Sequence, residues 1–367
     1  MKNVMGIINT VNEPDHLEEL TYHRCIASVP FGGRYRLIDF ILSSMVNSGI
    51  TNVAVFAHTK YRSLMDHLGS GKEWDLDRKR SGLFILPPVN EGLEPVKGDL
   101  HALYGHRDYL YRSSEEFVLL TRSHMVCNID FRDLRNYHEM TGADISVLYK
   151  ETDDPDSISS RIVTNTKGRV TSIREQSGLL QGNKVSMEIF FMKKSLLLDL
   201  IETALAEGHD HFVRDAILKN IDHLNIHGYR YQGYLGVVNT LQSYYKHSMN
   251  LLNPNVWKEL FFQPGLIYTK IKDEPPTRYK SESRTSNSLV ANGCIIEGTV
   301  ENSILFRGVR VHPGAVVKNS IILQNGMIRE NVNLEHAILD KDVVINAGRT
   351  LMGHELAPFI AVKKKVI

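Results

Sequence analysis

Between Leu305 and Leu334 apolar residues recur every six positions, and that period constrains the fold of the C-terminal quarter more than anything else in the chain. Leu305, Val311, Val317 and Leu323 form one series; Val316, Ile322, Ile328 and Leu334 form a second. Gly293, Gly298, Gly308, Pro313, Gly314, Asn325 and Gly326 punctuate them. A period of six suits neither an amphipathic helix nor a strand alternating every second residue. It is the signature of a parallel β-helix, whose coils stack ~4.8 Å apart around a continuous apolar column. The edge of a β-sandwich would instead show period two and regular hairpins. We therefore expect a β-helix over residues 288–367, with His312 and His336 as turn residues.

The first two thirds alternate strand and helix patterns. Val4 to Ile8, Val53 to Phe56, Phe117 to Leu120 and Ile145 to Tyr149 are apolar runs of strand length. Leu37, Phe40, Ile41 and Met45 lie on one helical face, and a second helix is expected near Phe131 to Met140. Ser186 to Phe191, a helix over Leu196 to Ala206, and Tyr229 to Tyr234 extend the pattern. This order predicts a doubly wound α/β domain over 1–253 with ligands at the carboxyl ends of its strands. Residues 254–287, which include the polar DEPPTRYKSESRTSN, are expected to be a linker.

Composition adds exclusions. With 43 basic and 42 acidic residues the net charge is +1, so no global field recruits nucleic acid or an anionic membrane. Cys25, Cys127 and Cys294 lack metal-ligand spacing, which suits a reducing compartment. No apolar run reaches membrane-spanning length. The expected location is the cytoplasm.

The stretch Phe31 to Ile50, FGGRYRLIDFILSSMVNSGI, is the frame of a nucleotide site, yet NTVNEPDHLEELT before it (Asn9 to Thr21) contains no glycine. A triphosphate is held by backbone N–H groups in a tight turn that needs glycines and positive potential. Pro14 removes a donor, while Glu13 and Asp15 bring negative charge to the place of an anion. GSG at Gly69 to Gly71 ends a helical pattern and serves better as a helix stop.

This stretch resembles the ADP-glucose pyrophosphorylases, the glucose-1-phosphate adenylyltransferases of bacterial glycogen synthesis. Their AGGxGxRLxxLT loop precedes FGGKFRIIDFxLSNxxNSGI, which puts their adjacent glycines on Val11 and Asn12, a third on Pro14 and their catalytic arginine on His16. The resemblance implies a Rossmann-like nucleotidyltransferase domain followed by a left-handed β-helix of hexapeptide repeats. It also implies a chemistry, attack of a sugar phosphate on the α-phosphate of ATP with metal shielding the charge.

Followed along this chain, the family's motifs lose the residues that carry that chemistry. The metal aspartate of GDHxY falls on Ser123, beside His124, and that of GYWxDVGT on Val237. The sugar-phosphate lysine of FxEKP falls on Gln176. GTADA becomes Gly98, Asp99, Leu100, His101 and Ala102; SMGIY becomes SMEIF, with Glu188 for glycine. Gly98, Glu175, Ser186 and Asp215 remain to outline a vestigial sugar or nucleotide pocket. Arg24, Arg34 and Arg36 flank the Gly32-Gly33 turn where relatives have an anionic effector site, although the activator lysine of RAKPA falls on Ile26.

The resemblance thus implies a non-catalytic, regulatory homologue. It would partner a catalytic ADP-glucose pyrophosphorylase subunit in a hetero-oligomer, or form a homo-oligomer alone, and would bind a sugar phosphate or inorganic anion. No cofactor is expected, with Mg²⁺ needed only if residual catalysis survives. Three alternatives stand beside this one: a weak adenylyltransferase using Asp99, His101 and His124, an independent sugar-phosphate sensor, and a hexapeptide-repeat acyltransferase.

Overall fold

The structure, a computed structural model, describes residues 1–89, 98–152, 160–174 and 183–367. Its N-terminal sheet has a parallel centre: Gly82–Leu86, Asn52–Phe56, Val4–Asn9 and Phe117–Thr121 lie side by side in that order. Beyond them Lys184–Lys193 runs antiparallel to Phe117–Thr121 and pairs onward with Ile145–Glu151 and Arg161–Thr164. The sheet is therefore mixed. Val4–Asn9, Asn52–Phe56 and Phe117–Thr121 are buried throughout, which is why they read as unbroken apolar runs. Alternate residues serve two cores: Val4, Ile8, Val53, Val55 and Leu119 on one face, Met5, Ile7, Ala54, Phe56 and Val118 on the other.

Helix Leu37–Asn47 follows the Gly32-Gly33 turn, where φ is +59° and +82°. Its first turn is fixed by Asp39, whose Oδ2 accepts from the Arg36 backbone N–H at 2.9 Å. Strand Ile226–Arg230 stops before Tyr234; the chain turns away where the Tyr231 hydroxyl donates to the carbonyls of Asn128 and Tyr234.

The C-terminal part is a β-helix of three parallel sheets with five strands each. Its interior column runs through Leu305, Val311 and Val317, then Ile322, Ile328 and Leu334, all buried. The two hexad series are thus one column, handed over between Val317 and Ile322. Partners on adjacent coils, such as Val317 and Leu334 or Ile322 and Leu339, are 17 residues apart, so one corner of each coil is a residue shorter than the other two. At that corner Asn302, Asn319 and His336 take φ of +47°, +46° and +46°, which makes His336 a turn residue. Val316 is only half-buried, and Leu323 points instead toward the N-terminal domain.

The expected linker is partly structured. Pro254–Phe262 is a helix, capped by the Asn253 side chain. Arg278–Tyr279 and Arg284–Ser286 already pair with Ile295–Ile296 and Thr299–Glu301 as the first coil. The β-helix therefore begins before residue 288, in the polar stretch, because an outermost coil needs few apolar residues.

The two parts share a core. Leu17, Leu20, Phe31, Phe40, Tyr244 and Phe261 cluster with Ile304, Phe306, Ile321, Leu323 and Ile338 of the β-helix. The Tyr245 hydroxyl bonds the Asn319 carbonyl at 2.6 Å and lies 2.8 Å from His336 Nδ1. Among the described residues no helix is long and apolar enough to cross a membrane.

Candidate functional site

The carboxyl ends of the parallel strands are where this fold places its ligands, and here several described side chains of the chain itself are paired with one another there. Arg122, directly after strand Phe117–Thr121, extends across it. Its Nη2 donates to Asp99 Oδ2 at 2.9 Å and its Nε to Glu188 Oε2 at 3.1 Å. Its Nη1 reaches the carbonyl of Val11 at 2.6 Å and, more weakly, that of Asn9 at 3.4 Å. Burial opposes the charge of Arg122, but Asp99, Glu188 and Glu13 outweigh it and hold the guanidinium more firmly protonated than usual. The loop thus turns carbonyls toward a resident cation, where a phosphate cradle would turn N–H groups toward an anion.

Glu13 closes the other side. Its carboxylate accepts from the Ser123 backbone N–H and, at 2.7 Å, from the Ser123 hydroxyl, with His124 Nδ1 at 3.5 Å. The Glu13 side chain is 2% exposed. Ser123 and Val237 stand close together, since Val237 pairs with Met125 in a two-stranded ribbon, but Val237 is an apolar core residue. The donor set does not fit Mg²⁺, which needs several oxygens and at least one free carboxylate. Among the described residues no group of three His, Cys, Asp or Glu side chains could hold a metal.

The remaining pocket residues have structural duties. Gly98 admits the Asp210 backbone: a Cβ at Gly98 would lie 1.9 Å from the Asp210 carbonyl oxygen. Asp215 is paired by Arg214 through two bonds of 3.0 Å and accepts the His211 N–H at 2.9 Å, which together hold its carboxyl well below the usual range. Ser186 is buried on strand Lys184–Lys193, where its hydroxyl accepts from the Glu188 N–H and supports a positive φ of +50°. His16 is exposed, and among the described residues it pairs only by backbone, its N–H donating to the Asn239 carbonyl at 2.8 Å. Asp99 is committed to Arg122 and the Phe212 N–H, and His101 lies outside the network, 2.9 Å from Asp210. Glu175 and Gln176 lie outside the described residues.

Only two of the three arginines are brought together: Arg24 and Arg36 lie within each other's field, while Arg34 stands apart. Arg24 is 3% exposed, and its Nη2 donates to both carboxylate oxygens of Asp340 of the β-helix, each at 2.9 Å, while among the described residues its Nη1 has no partner. Arg36 donates to the Ser63 carbonyl and hydroxyl at 2.6 and 2.9 Å, and burial pushes its pKa down to about 10. Lys341 lies within the field of both. Burial first, then Arg36 and Arg24, drive its pKa down to about 7 against the pull of Asp340, with Lys363 adding to the depression. Arg34 is exposed and faces a separate cleft of about 410 Å³, which it lines with Trp257, Lys272 and Arg307.

Sequence reasoning missed Arg122, the role of Glu13, and the β-helix residues Asp340, Lys341 and Lys363. For Arg122 a signal existed. It occupies the glycine of GDHxY, and Glu188 the glycine of SMGIY, so two family glycines are replaced by opposite charges that meet in space. Nothing in the sequence brings Asp340 to Arg24.

Comparison with known proteins agrees with this two-part fold. Residues 15–253 match the nucleotidyl transferase family, and residues 275–357 match the GlmU-like C-terminal hexapeptide family. The chain is 39% identical to the glycogen biosynthesis protein GlgD of Bacillus subtilis (strain 168), over 97% of this chain and 95% of that protein. It is 43% identical to the protein of the same name from Geobacillus stearothermophilus, covering 86% and 82% respectively. With the glucose-1-phosphate adenylyltransferase of Bacillus cereus (strain Q1) identity is 31%, over 90% of each.

Proposed function

Because the chain belongs to the nucleotidyl transferase family that includes the glycogen biosynthesis protein GlgD and the glucose-1-phosphate adenylyltransferases, we propose that it serves glycogen biosynthesis as a catalytically silent subunit regulating an active adenylyltransferase. One observation carries this reading: Arg122, Asp99 and Glu188 pair with one another in the old cleft while Glu13 is bonded to Ser123. ATP and glucose 1-phosphate would have to displace a fully paired network that is itself largely desolvated. Losing a catalytic group alone would leave its neighbours without partners; here Arg122, Asp99, Glu188, Glu13 and Ser123 have partners within the chain. The fold, the Gly-Gly turn and the β-helix are kept.

A silent subunit changes its partner only by favouring one conformation, so the expected influence is ~1–3 kcal/mol in effector or substrate response. Co-expression with a separately tagged catalytic homologue, followed by size exclusion and kinetics, tests this. We expect one mixed oligomer whose apparent affinity for substrate or effector differs from that of the catalytic subunit alone. If the two chains never co-elute and the kinetics are unchanged, the regulatory reading fails and an independent sensor replaces it.

We place the effector anion at Arg24, Arg36, Lys341 and Lys363, on the seam between the domains, with Arg34 in its own cleft outside this cluster. The sign of its pH dependence follows from Lys341. Unfolded, this lysine titrates near 10.5; folded, near about 7. Between those values the unfolded chain holds more protons, so the contribution of Lys341 to stability rises with pH and is lowest below about 7. A bound anion favours the charged lysine and therefore draws in a proton above neutrality. Phosphate should bind ~5–10-fold more weakly at pH 9 than at pH 6.5, with proton uptake measurable by calorimetry at pH 8 in buffers of different ionisation heat. Binding that is independent of pH and unaffected by Lys341→Met removes the anion from this seam.

A further inference from the structure

At the opposite end of the sheet from Arg122 and its partners, a cavity of about 490 Å³ opens beside the amino ends of strands Asn52–Phe56, Gly82–Leu86 and Phe117–Thr121. Family chemistry sits at the carboxyl ends, so nothing described above uses this space. Arg80 and Arg112 line it, both exposed, and among the described residues neither guanidinium has a hydrogen-bond or ion-pair partner. Ser114 adds an exposed hydroxyl.

The wall between these groups is built rather than incidental. Phe84 and Tyr109 pack with ring centroids 5.1 Å apart, and the Tyr109 hydroxyl is held by Asn52 Oδ1 at 2.6 Å. Phe84 remains 40% exposed on the cavity side of the sheet edge. Glu115 is 7% exposed, and its Oε2 has no hydrogen-bond partner among the described residues. Lys194, anchored to the Ser113 carbonyl at 2.6 Å, lies within the field of Glu115 and balances its charge.

We propose that this cavity binds a phosphorylated sugar, with the phosphate held by Arg80 and Arg112 and the sugar lying against Phe84 with a hydroxyl directed to Glu115. The pieces match a bifunctional ligand. Two unpaired guanidiniums are the side chains best suited to a phosphate, which they meet with paired N–H donors. A buried carboxylate oxygen lacking a partner calls for a donor, which a sugar hydroxyl supplies without bringing a second anion against the carboxylate, as inorganic phosphate would. A flat, partly exposed aromatic ring accepts the C–H face of a sugar.

Calorimetry with mannose 6-phosphate, inorganic phosphate and mannose as probes tests the assignment. Mannose 6-phosphate should bind ~10-fold more tightly than phosphate, and mannose alone should not bind measurably. Arg80→Ala and Arg112→Ala should each weaken mannose 6-phosphate ~5-fold or more, whereas Glu115→Ala and Phe84→Ala should mainly abolish its advantage over phosphate. Arg80 and Arg112 are surface residues, so their variants should fold normally, with melting temperature as the check. Lys341→Met reports on the interdomain seam and should leave this binding unchanged. No binding of mannose 6-phosphate, or binding lost with Lys341→Met and indifferent to Arg80→Ala and Arg112→Ala, overturns the proposal.

Discussion

Replacing Asp340 with asparagine should destabilise the chain by ~3–5 kcal/mol, the cost of leaving a buried charge without its partner. Asp340 is 1% exposed and is the counter-charge of Arg24, whose guanidinium is itself buried. Its carboxylate also accepts from the Lys341 backbone N–H at 2.7 Å. Removing it leaves Arg24 without its bonded carboxylate, beside the cations Arg36, Lys341 and Lys363. Urea unfolding at neutral pH measures the loss, and two comparisons identify its cause. The double variant Arg24→Met, Asp340→Leu should lose much less than Asp340→Asn, because nothing charged is left unpaired. Added phosphate should recover part of the stability of Asp340→Asn by supplying the missing negative charge. A loss below ~1 kcal/mol would show that the seam tolerates an unpaired arginine, and the ion pair would then be no more than a surface-like contact.

That seam also marks where sequence reading stopped. The hexad pattern identified the β-helix because interior residues must recur once per face. It did not reveal that Val317 hands the column to Ile322, because a five-residue corner looks like a second series when the sequence is read without its coils. The parallel strands were legible because burial on both faces leaves only apolar residues. The pairing of Arg24 with Asp340 joins positions 316 residues apart, and no local pattern encodes it. The cleft was half legible. The resemblance implied a loss of loop glycines and of metal carboxylates at Ser123 and Val237. The network of Arg122 with Asp99 and Glu188 depends on three side chains from separate segments converging. Glu13 was recognised as a charge hostile to phosphate, whereas in the folded chain it is bonded to Ser123, the residue that the resemblance aligns with the family's metal aspartate.

Neither the chain as it stands nor its Ser123→Asp, Val237→Asp variant should make ADP-glucose above background. The second statement is the more demanding, because that variant restores both carboxylates of the family's metal site. Three features oppose it. A carboxylate at position 123 would face Glu13, now 2.7 Å from the Ser123 hydroxyl, so like charges would meet in a desolvated site. A carboxylate at position 237 would enter an apolar cluster where Val237 is 3% exposed, at a cost of several kcal/mol unless metal or a proton neutralises it. The Asn9 to His16 loop would still present carbonyls to Arg122. Magnesium-dependent pyrophosphate release from ATP and glucose 1-phosphate is the readout, with thermal melting to separate inactivity from unfolding. Adding Arg122→Gly and Glu188→Gly returns two family glycines and empties the cleft. This fourfold variant should show at most weak ATP binding, since glycine and a cation are still missing from the loop. Substantial turnover by the Ser123→Asp, Val237→Asp chain would mean that the metal carboxylates alone were limiting and that the paired network yields easily to substrate.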